Sequence, residues 1–159
     1  MASFTISRYA GDDYTDAMEL LVAYAKSLEI DLAFQGFDAE MATFPGKYLP
    51  RTGALLMARN TTGEAIGSVA LRKLDDEGYC EIKRLYVDPK GRGLGVGKAL
   101  AAAIVDEAKH LGYRAIRLDT LPSMNAAQGL YKDLGFVETE SYYDTPIEDT
   151  LFLELQLPR

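Results

Sequence analysis

The stretch Arg92-Gly93-Leu94-Gly95-Val96-Gly97-Lys98 decides how this sequence folds. It follows an apolar run that ends at Val87 and precedes apolar residues at helical spacing, which predicts a turn between a strand and a helix. Glycines at alternate positions let the backbone curve around an anion, and the first turn of a helix offers unpaired N–H groups. Arg92 and Lys98 add positive charge. This turn motif, residues 92–98, therefore predicts a binding site for a phosphate or pyrophosphate group.

Two common phosphate-binding motifs fit this turn poorly. A Walker P-loop places Ser or Thr after Gly-Lys to bind magnesium, but Ala99 follows Gly97-Lys98. A Rossmann fingerprint places its third glycine three residues after the second, whereas Gly97 lies two residues after Gly95. The turn also comes late in the chain, after strands with the pattern of an antiparallel meander. The residues therefore exclude a P-loop and disfavour a dinucleotide site.

The turn motif resembles the coenzyme A signature of the GNAT N-acetyltransferase superfamily. The resemblance rests on Arg92-x-x-Gly95-x-Gly97 directly after Val87-Asp88-Pro89. A second stretch, Leu130 to Phe136, resembles the later helix-to-strand signature of the same superfamily. These motifs cover about residues 81–136, and the rest of the chain matches only in the order of its strands and helices. A turn with a purely structural role is the alternative.

Outward from the turn, the pattern of apolar residues predicts a mixed α/β fold. Polar turn residues at 60–63 and 75–78 separate three strands, which predicts an antiparallel meander before the turn motif. The GNAT resemblance implies an α/β (α+β) fold with a mixed, mostly antiparallel sheet, a central splayed parallel strand pair and helices on both faces. The predicted strands are Phe4–Arg8, Ala54–Arg59, Ala65–Leu74, Tyr79–Val87, Ala115–Thr120, Phe136–Glu138 and Thr150–Gln156, and the predicted helices are Thr15–Leu28, Asp38–Ala42, Gly95–Leu111 and Asn125–Leu134.

Composition is that of an ordinary globular protein. The chain has 159 residues, 48% hydrophobic and 26% charged, which predicts one domain over residues 1–159. A net charge of −7 disfavours a broad nucleic-acid surface and suits a cationic substrate, although an acidic surface also simply keeps a protein dispersed. The sequence shows neither the pattern of a signal peptide nor an apolar run of membrane-spanning length. We therefore expect a cytoplasmic protein with no membrane or nucleic-acid partner.

The chain has one cysteine, Cys80, and one histidine, His110. A single cysteine excludes an intramolecular disulfide, and one Cys with one His cannot supply a zinc site unaided. We therefore expect no metal cofactor. Cys80 lies in a predicted strand and is expected to be a small buried side chain.

The resemblance implies acetyl-CoA as the acetyl donor, together with specific contacts for it. In GNAT proteins coenzyme A lies between two splayed parallel strands, and its pantetheine pairs with the strand before the turn. That strand end corresponds here to Leu85, Tyr86 and Val87, with Ala115–Thr120 as the next parallel strand. Homodimer formation is expected from the resemblance alone. The pyrophosphate contacts are then predicted at Arg92, Gly93, Leu94, Gly95, Val96, Gly97 and Lys98.

Two residues match positions that carry the chemistry in GNAT enzymes. Attack of an amine on a thioester requires a base, and Glu81 lies where many members carry a catalytic glutamate. Tyr131 matches the tyrosine near the sulfur, where a phenol can protonate the departing thiolate. The alternatives are structural. Glu81 would then be a solvated strand residue or an ion-pair partner of Lys83 or Arg84, and Tyr131 would be a core residue.

The sequence departs from the GNAT pattern just before the second signature. Relatives often carry an Asn seven residues before the tyrosine, whereas this chain has Met124 at that position and Asn125 one residue later. Asn125 is therefore predicted either to contact coenzyme A or to cap the following helix, and Ser123 could do either.

The predicted acceptor is the primary amine of a small cationic molecule. The stretches at 28–53 and 141–149 match the superfamily least and are expected to shape the acceptor pocket. Three alternatives stay open: a non-catalytic acyl-CoA sensor, an enzyme that acetylates protein N-termini or lysines, and a protein that binds ATP or NAD instead. The candidate pocket residues are Asp31, Gln35, Glu40, Tyr142 and Tyr143.

Overall fold

The structure, a computed structural model, describes residues 3–28 and 36–158. Seven strands within these ranges form one sheet with the order β1-β2-β3-β4-β5-β7-β6. The strands are β1 (Phe4–Arg8), β2 (Ala54–Asn60), β3 (Ala65–Lys73), β4 (Tyr79–Val87), β5 (Ala115–Thr120), β6 (Val137–Glu138) and β7 (Leu151–Gln156), and the helices are α1 (Tyr14–Ser27), α2 (Phe37–Thr43), α3 (Val96–His110) and α4 (Asn125–Asp133). The predicted elements are confirmed, and no end is shifted by more than one residue.

Short polar turns produce the antiparallel meander of β2, β3 and β4. In the first turn, the Asn60 carboxamide oxygen accepts hydrogen bonds from the backbone N–H groups of Thr62 and Glu64, at 3.1 and 2.9 Å. Such side-chain bonds to nearby backbone groups are the reason Asn favours turns. The meander and the mostly antiparallel sheet predicted from the sequence are therefore confirmed.

The centre of the sheet contains the parallel pair β4 and β5. The pair is joined only at Tyr79–Glu81, which face Ala115–Arg117, and the two strands separate beyond that point. The register of β4 against β3 shifts between Ser68 and Ala70, which shows that β4 has a bulge near the point where it separates from β5. Arg84 and Leu85 lie opposite the single residue Val69 in this bulge, and Arg84 has a positive φ of 59°. The splayed parallel pair expected from the GNAT resemblance is confirmed.

Helices cover both faces of the sheet and divide its side chains into two cores. On the α3–α4 face, Leu100, Ile104 and Ile116 belong to the larger apolar cluster. On the α1–α2 face, Leu20 and Leu21 of α1 pack in a second cluster with residues of β2. No helix within residues 3–28 and 36–158 combines the length and apolarity needed to span a membrane.

Cys80 lies at the base of the separation between β4 and β5. Its side chain is completely buried in the larger cluster, as predicted, and its thiol donates to the backbone oxygen of Ala115 at 3.6 Å. Burial and the nearby Glu81 carboxylate raise the pKa of this thiol to about 12. Cys80 therefore has the properties of a packing residue rather than a nucleophile.

Candidate functional site

A cleft opens where β4 and β5 separate. Its walls come from the ends of both strands, from α1, and from the segment that leads into α4. The cleft is therefore bordered by two strands and two helices rather than by a single loop. The cleft is lined by Tyr24, Leu28, Ile82, Lys83, Arg84, Leu85, Asp119, Thr120, Leu121, Met124, Ala127 and Tyr131.

The turn motif leads into the N-terminus of α3, beside this cleft. Gly97 packs close to both Val87 of β4 and Leu130 of α4, since an added Cβ would lie 3.5 and 3.4 Å from their side chains. Gly95 is the N-cap of α3, and neither a side-chain cap nor an acidic residue occupies the first turn. The positive end of the helix dipole is thus available to an anion.

Two glycines of the turn are required by backbone conformation. Gly93 and Gly95 both have φ of +81°, while an added Cβ at either position would meet no atom within 4 Å. The left-handed conformation, and not lack of space, therefore selects glycine here. The exposed Arg92 donates from Nε to the backbone oxygen of Val87 at 3.3 Å, and Lys98 is exposed on the first turn of α3.

The predicted pantetheine strand lies along the cleft. Leu85 lines the cleft, while Val87 packs against the larger apolar cluster. Tyr86 faces the opposite side of the sheet, where its ring contacts Tyr24 edge-to-face with centroids 6.4 Å apart. The pairing of coenzyme A with the backbone of these residues stays a prediction.

Glu81 is fully buried, with 0% of its surface exposed. Arg72 on the neighbouring strand donates from Nε to Glu81 Oε1 at 2.7 Å, and Tyr142 donates its hydroxyl to Oε2. Lys83 Nζ lies 3.8 Å from Oε1, which makes it one of the two ion-pair partners considered from the sequence. Arg72 and Tyr142 were not foreseen as its partners.

Asp119 on β5 forms a second arrangement of the same type. Tyr143 donates its hydroxyl to Asp119 Oδ2, and Lys83 Nζ lies 3.7 Å from Oδ1. Lys83 therefore stands between two carboxylates, each of which accepts a hydrogen bond from a tyrosine of the loop between β6 and β7. The rings of Tyr142 and Tyr143 both pack on Phe152, which fixes this loop against β7.

Arg84 pairs with Glu40 rather than with Glu81. Arg84 donates from Nε and Nη2 to the two Glu40 oxygens at 3.2 and 2.9 Å, and both side chains are buried. The guanidinium also lies 5.7 Å from the ring centroid of Tyr24 and 5.4 Å from that of Phe37. This corrects the sequence-based alternative that paired Arg84 with Glu81, because the bulge directs Arg84 toward α2.

Tyr131 is both a core residue and a wall of the cleft. It is 5% exposed, its ring packs edge-to-face on Phe136 at 5.4 Å, and it belongs to the larger apolar cluster. Burial, followed by the nearby Tyr24 and Asp119, raises the pKa of its phenol well above the usual range. Tyr131 is therefore a neutral hydrogen-bond donor at the cleft, so the two alternatives considered for it are compatible.

The residues before α4 differ from one expectation. The N-cap of α4 is Met124, Asn125 is the first helical residue, and no side chain caps this end. The interpretation of Asn125 as the helix cap is thus wrong, because the helix begins one residue too early for it. Met124 lines the cleft, whereas Ser123 and Asn125 are exposed. Contact of Ser123 or Asn125 with a cofactor stays a prediction.

The expected acceptor residues divide into three groups. Asp31 and Gln35 lie outside the described residues. Glu40 serves as the buried partner of Arg84, and Tyr142 and Tyr143 contact the two carboxylates. Within residues 3–28 and 36–158, no group of His, Cys, Asp or Glu side chains is arranged to hold a metal ion.

Asp119 was not predicted as a site residue, although the sequence of β5 contains a signal for it. A strand between two neighbours, with helices over both faces, normally carries apolar residues on both sides. In β5 the charged residues Arg117 and Asp119 alternate with apolar ones. Charged residues at that spacing in a central strand indicate a functional or ion-paired face.

Comparison with known proteins agrees with this geometry. The model of the acetyltransferase (GNAT) family matches residues 16–136 of the chain. An uncharacterised N-acetyltransferase of Schizosaccharomyces pombe is 40% identical over 147 residues, which cover 92% of this chain and 90% of that protein. The N-acetylaspartate synthetase of Danio rerio is 30% identical over 122 residues, covering 75% of this chain and 43% of that enzyme.

Two solved structures have the same fold. A GNAT-family acetyltransferase from Staphylococcus aureus superposes with a TM-score of 0.79 and 22% identity, covering 98% of this chain and 99% of the other. A Salmonella typhimurium protein, solved with its cofactor acetyl-CoA, superposes with a TM-score of 0.73 and 22% identity, covering 98% and 95%. With the family match and the relatives, these findings show that the chain belongs to the acetyltransferase (GNAT) family and is an N-acetyltransferase.

Proposed function

We propose that this protein transfers the acetyl group of acetyl-CoA to the primary amine of a small cationic molecule. The observation that carries the proposal is the cleft between β4 and β5. The cleft lies beside the uncapped N-terminus of α3, has a buried tyrosine in one wall and has a carboxylate in another. Donor, acid and proton acceptor can therefore meet in one place.

The proposed binding site for the acetyl donor consists of apolar side chains and backbone groups. Leu85 and the backbone of β4 beyond the splay offer an edge for pantetheine, and the first turn of α3 offers N–H groups for a pyrophosphate. The acetyl-CoA bound by the Salmonella protein of this fold supports the same donor here. In this proposal Arg92 and Lys98 add positive charge beside the phosphates.

Tyr131 is the proposed acid. Its raised pKa keeps the phenol protonated in the free protein, so the hydroxyl can donate a hydrogen bond to the sulfur and give up its proton as the C–S bond breaks. Glu81 is the base predicted from the sequence. Because Glu81 exposes no surface, it can act on an amine only through a group that contacts it, and Tyr142 is such a group.

The names of some relatives support a small acceptor. The N-acetylaspartate synthetases of Danio rerio and Rattus norvegicus are both 30% identical to this chain over about three quarters of its length, and their name denotes acetylation of an amino acid. An amino acid carries a primary ammonium group of the kind proposed here. A small amine is therefore favoured over a protein N-terminus or lysine.

The test is an assay of the thiol liberated from acetyl-CoA across a library of amines. We expect at least one small amine to release thiol, and we expect Tyr131→Phe to lower kcat by about 100-fold with little change in acetyl-CoA binding. Glu81→Gln should lower the rate if Glu81 accepts the proton through Tyr142.

Two outcomes contradict the proposal in different ways. If neither substitution changes the rate, the assigned roles of Tyr131 and Glu81 are wrong. If coenzyme A binds but no amine supports thiol release, the protein is an acyl-CoA sensor rather than an enzyme. ATP or NAD stabilising the protein more than coenzyme A in thermal unfolding would instead indicate a nucleotide site.

A further inference from the structure

Asp119 and Glu81 occupy related positions on adjacent strands. In the parallel pairing Glu81 faces Arg117, so Asp119 lies two residues further along β5, beyond the last paired residues. Both carboxylates lie near Lys83 Nζ, at 3.8 Å from Glu81 Oε1 and 3.7 Å from Asp119 Oδ1. The two carboxylates therefore share Lys83 as a neighbour, but Glu81 lies where β4 and β5 are paired and Asp119 lies where they have separated.

The surroundings of the two carboxylates are different. Glu81 lies where the strands are still paired, is fully buried, and is bound by Arg72 at 2.7 Å. Asp119 lies where the strands have separated, lines the cleft, and keeps 9% of its side chain exposed. Of these two carboxylates, only Asp119 lines the space in which Tyr131 also lies.

We infer that Asp119 is the catalytic carboxylate that binds the acceptor ammonium and takes its proton, while Glu81 is a positioning residue behind it. This inference rests on the proposed acetyl transfer and names a different group as the direct base. Lys83 and the Tyr143 hydroxyl hold the Asp119 side chain in place. The ammonium group of the acceptor donates a hydrogen bond to Asp119, either in addition to the Tyr143 hydroxyl or in its place.

The proton and electron pairs can be followed through this arrangement. The ammonium gives one proton to Asp119, and the nitrogen lone pair then forms the C–N bond to the thioester carbonyl carbon. The C–S bond breaks with its electron pair leaving on sulfur, which receives the proton of the Tyr131 hydroxyl. The second N–H proton, lost as the amide forms, restores Tyr131, and Asp119 releases its proton to water.

Glu81 contributes indirectly in this arrangement. Its two oxygens bind Arg72 and Tyr142, and Tyr142 packs against Tyr143 with ring centroids 5.5 Å apart. Glu81 therefore fixes the loop that supplies the hydrogen bond to Asp119. Loss of its charge is expected to disturb this support without removing the group that accepts the proton.

The test compares three isosteric substitutions with the best amine from the library. Asp119→Asn should lower kcat/KM for the amine by about 100-fold or more, because general-base catalysis typically contributes 10²–10⁴-fold. Glu81→Gln should lower it by less than about tenfold, on the same scale. Glu154→Gln, on the same face but paired with Arg117 at 2.9 Å, is the matched control and should stay near the wild-type rate.

A second variant separates catalysis from structure. Asp119→Ala should regain part of its rate when formate is added, because a small carboxylate can enter the space left by the side chain, and acetyl-CoA binding should be unchanged. The inference is overturned if Asp119→Asn keeps its rate within threefold of the wild type, if Glu81→Gln is the more damaging change, or if formate restores no activity. A wild-type protein that acetylates no amine overturns the proposed function, and the inference with it.

Discussion

The two faces of the sheet prepare their parts of the site by different means. The α3–α4 face is apolar, and its specific features are backbone ones: left-handed Gly93 and Gly95, and the uncapped first turn of α3. On the α1–α2 face, charged side chains meet in pairs: Arg84 with Glu40, Arg72 with Glu81, and Lys83 with Asp119. One face is organised by chain conformation and the other by side-chain charge.

The two kinds of binding site produce different signals in a sequence. An anion site made of backbone N–H groups needs no particular side chains. It needs glycines at a fixed local spacing, because they allow the backbone to adopt the required conformation. Buried charges instead require partners, because an unpaired charge in the interior is costly. Those partners come from distant parts of the chain. Three experiments, ordered from the largest expected effect on the protein to the smallest, test the two faces and the base of the cleft between them.

The largest effect is expected from Glu40→Gln on the α1–α2 face. It leaves the buried Arg84 guanidinium without its carboxylate, which should lower the free energy of unfolding by about 3–5 kcal/mol. Urea denaturation measures this change. The double variant with Glu40→Met and Arg84→Met should lose less stability than Glu40→Gln alone, since it buries no unpaired charge. A loss below about 1 kcal/mol in Glu40→Gln would show that charge pairing does not hold this face together.

The next effect is expected from Gly95→Ala on the α3–α4 face. Forcing alanine to a φ of +81° should cost about 1–2 kcal/mol and raise the KM for acetyl-CoA, since the N-cap of α3 must shift. Gly129→Ala is the matched control, because Gly129 lies within α4 with open space around it. There alanine should add about 0.5–1 kcal/mol of stability. Equal responses at the two positions would refute the conformational role of the turn.

The smallest effect concerns Cys80, at the base of the cleft between the two faces. Because burial raises its thiol pKa to about 12, very little thiolate exists at pH 8 and the side chain is inaccessible. The native protein should not react with a thiol reagent such as Ellman's reagent, whereas the urea-unfolded chain should react with one equivalent. Rapid reaction of the native protein would mean that the base of the cleft opens readily.

Much of the fold could be predicted from local sequence. Polar turns, apolar alternation and the turn motif identified the strands and helices, because these signals depend on residues close together in the chain. The position of β7 between β5 and β6 could not be predicted that way, since it follows from pairing of β5 with a strand that begins at Leu151. The parallel pair was expected only through the GNAT resemblance.

The candidate site was predictable only in part, for the same physical reason. Tyr131 and the glycines belong to local motifs, and the structure places them beside the cleft. The partners of Glu81 and Asp119 do not, since Tyr142 is 61 residues from Glu81 and Tyr143 is 24 residues from Asp119. Burial of Glu81 depends on these distant contacts, so its sequence position alone could not reveal it.

The short pairing of β4 with β5 gives the sheet two inner edges in its middle. Strand edges at the rim of a sheet invite other chains to pair with them, but these edges face each other, with α1 and α4 close by. Acetyl-CoA bound there would pair with these inner edges. A ligand at 100 times its dissociation constant raises the free energy of unfolding by about 2.7 kcal/mol. The lifetime of the folded protein in a cell would then follow the supply of its own substrate.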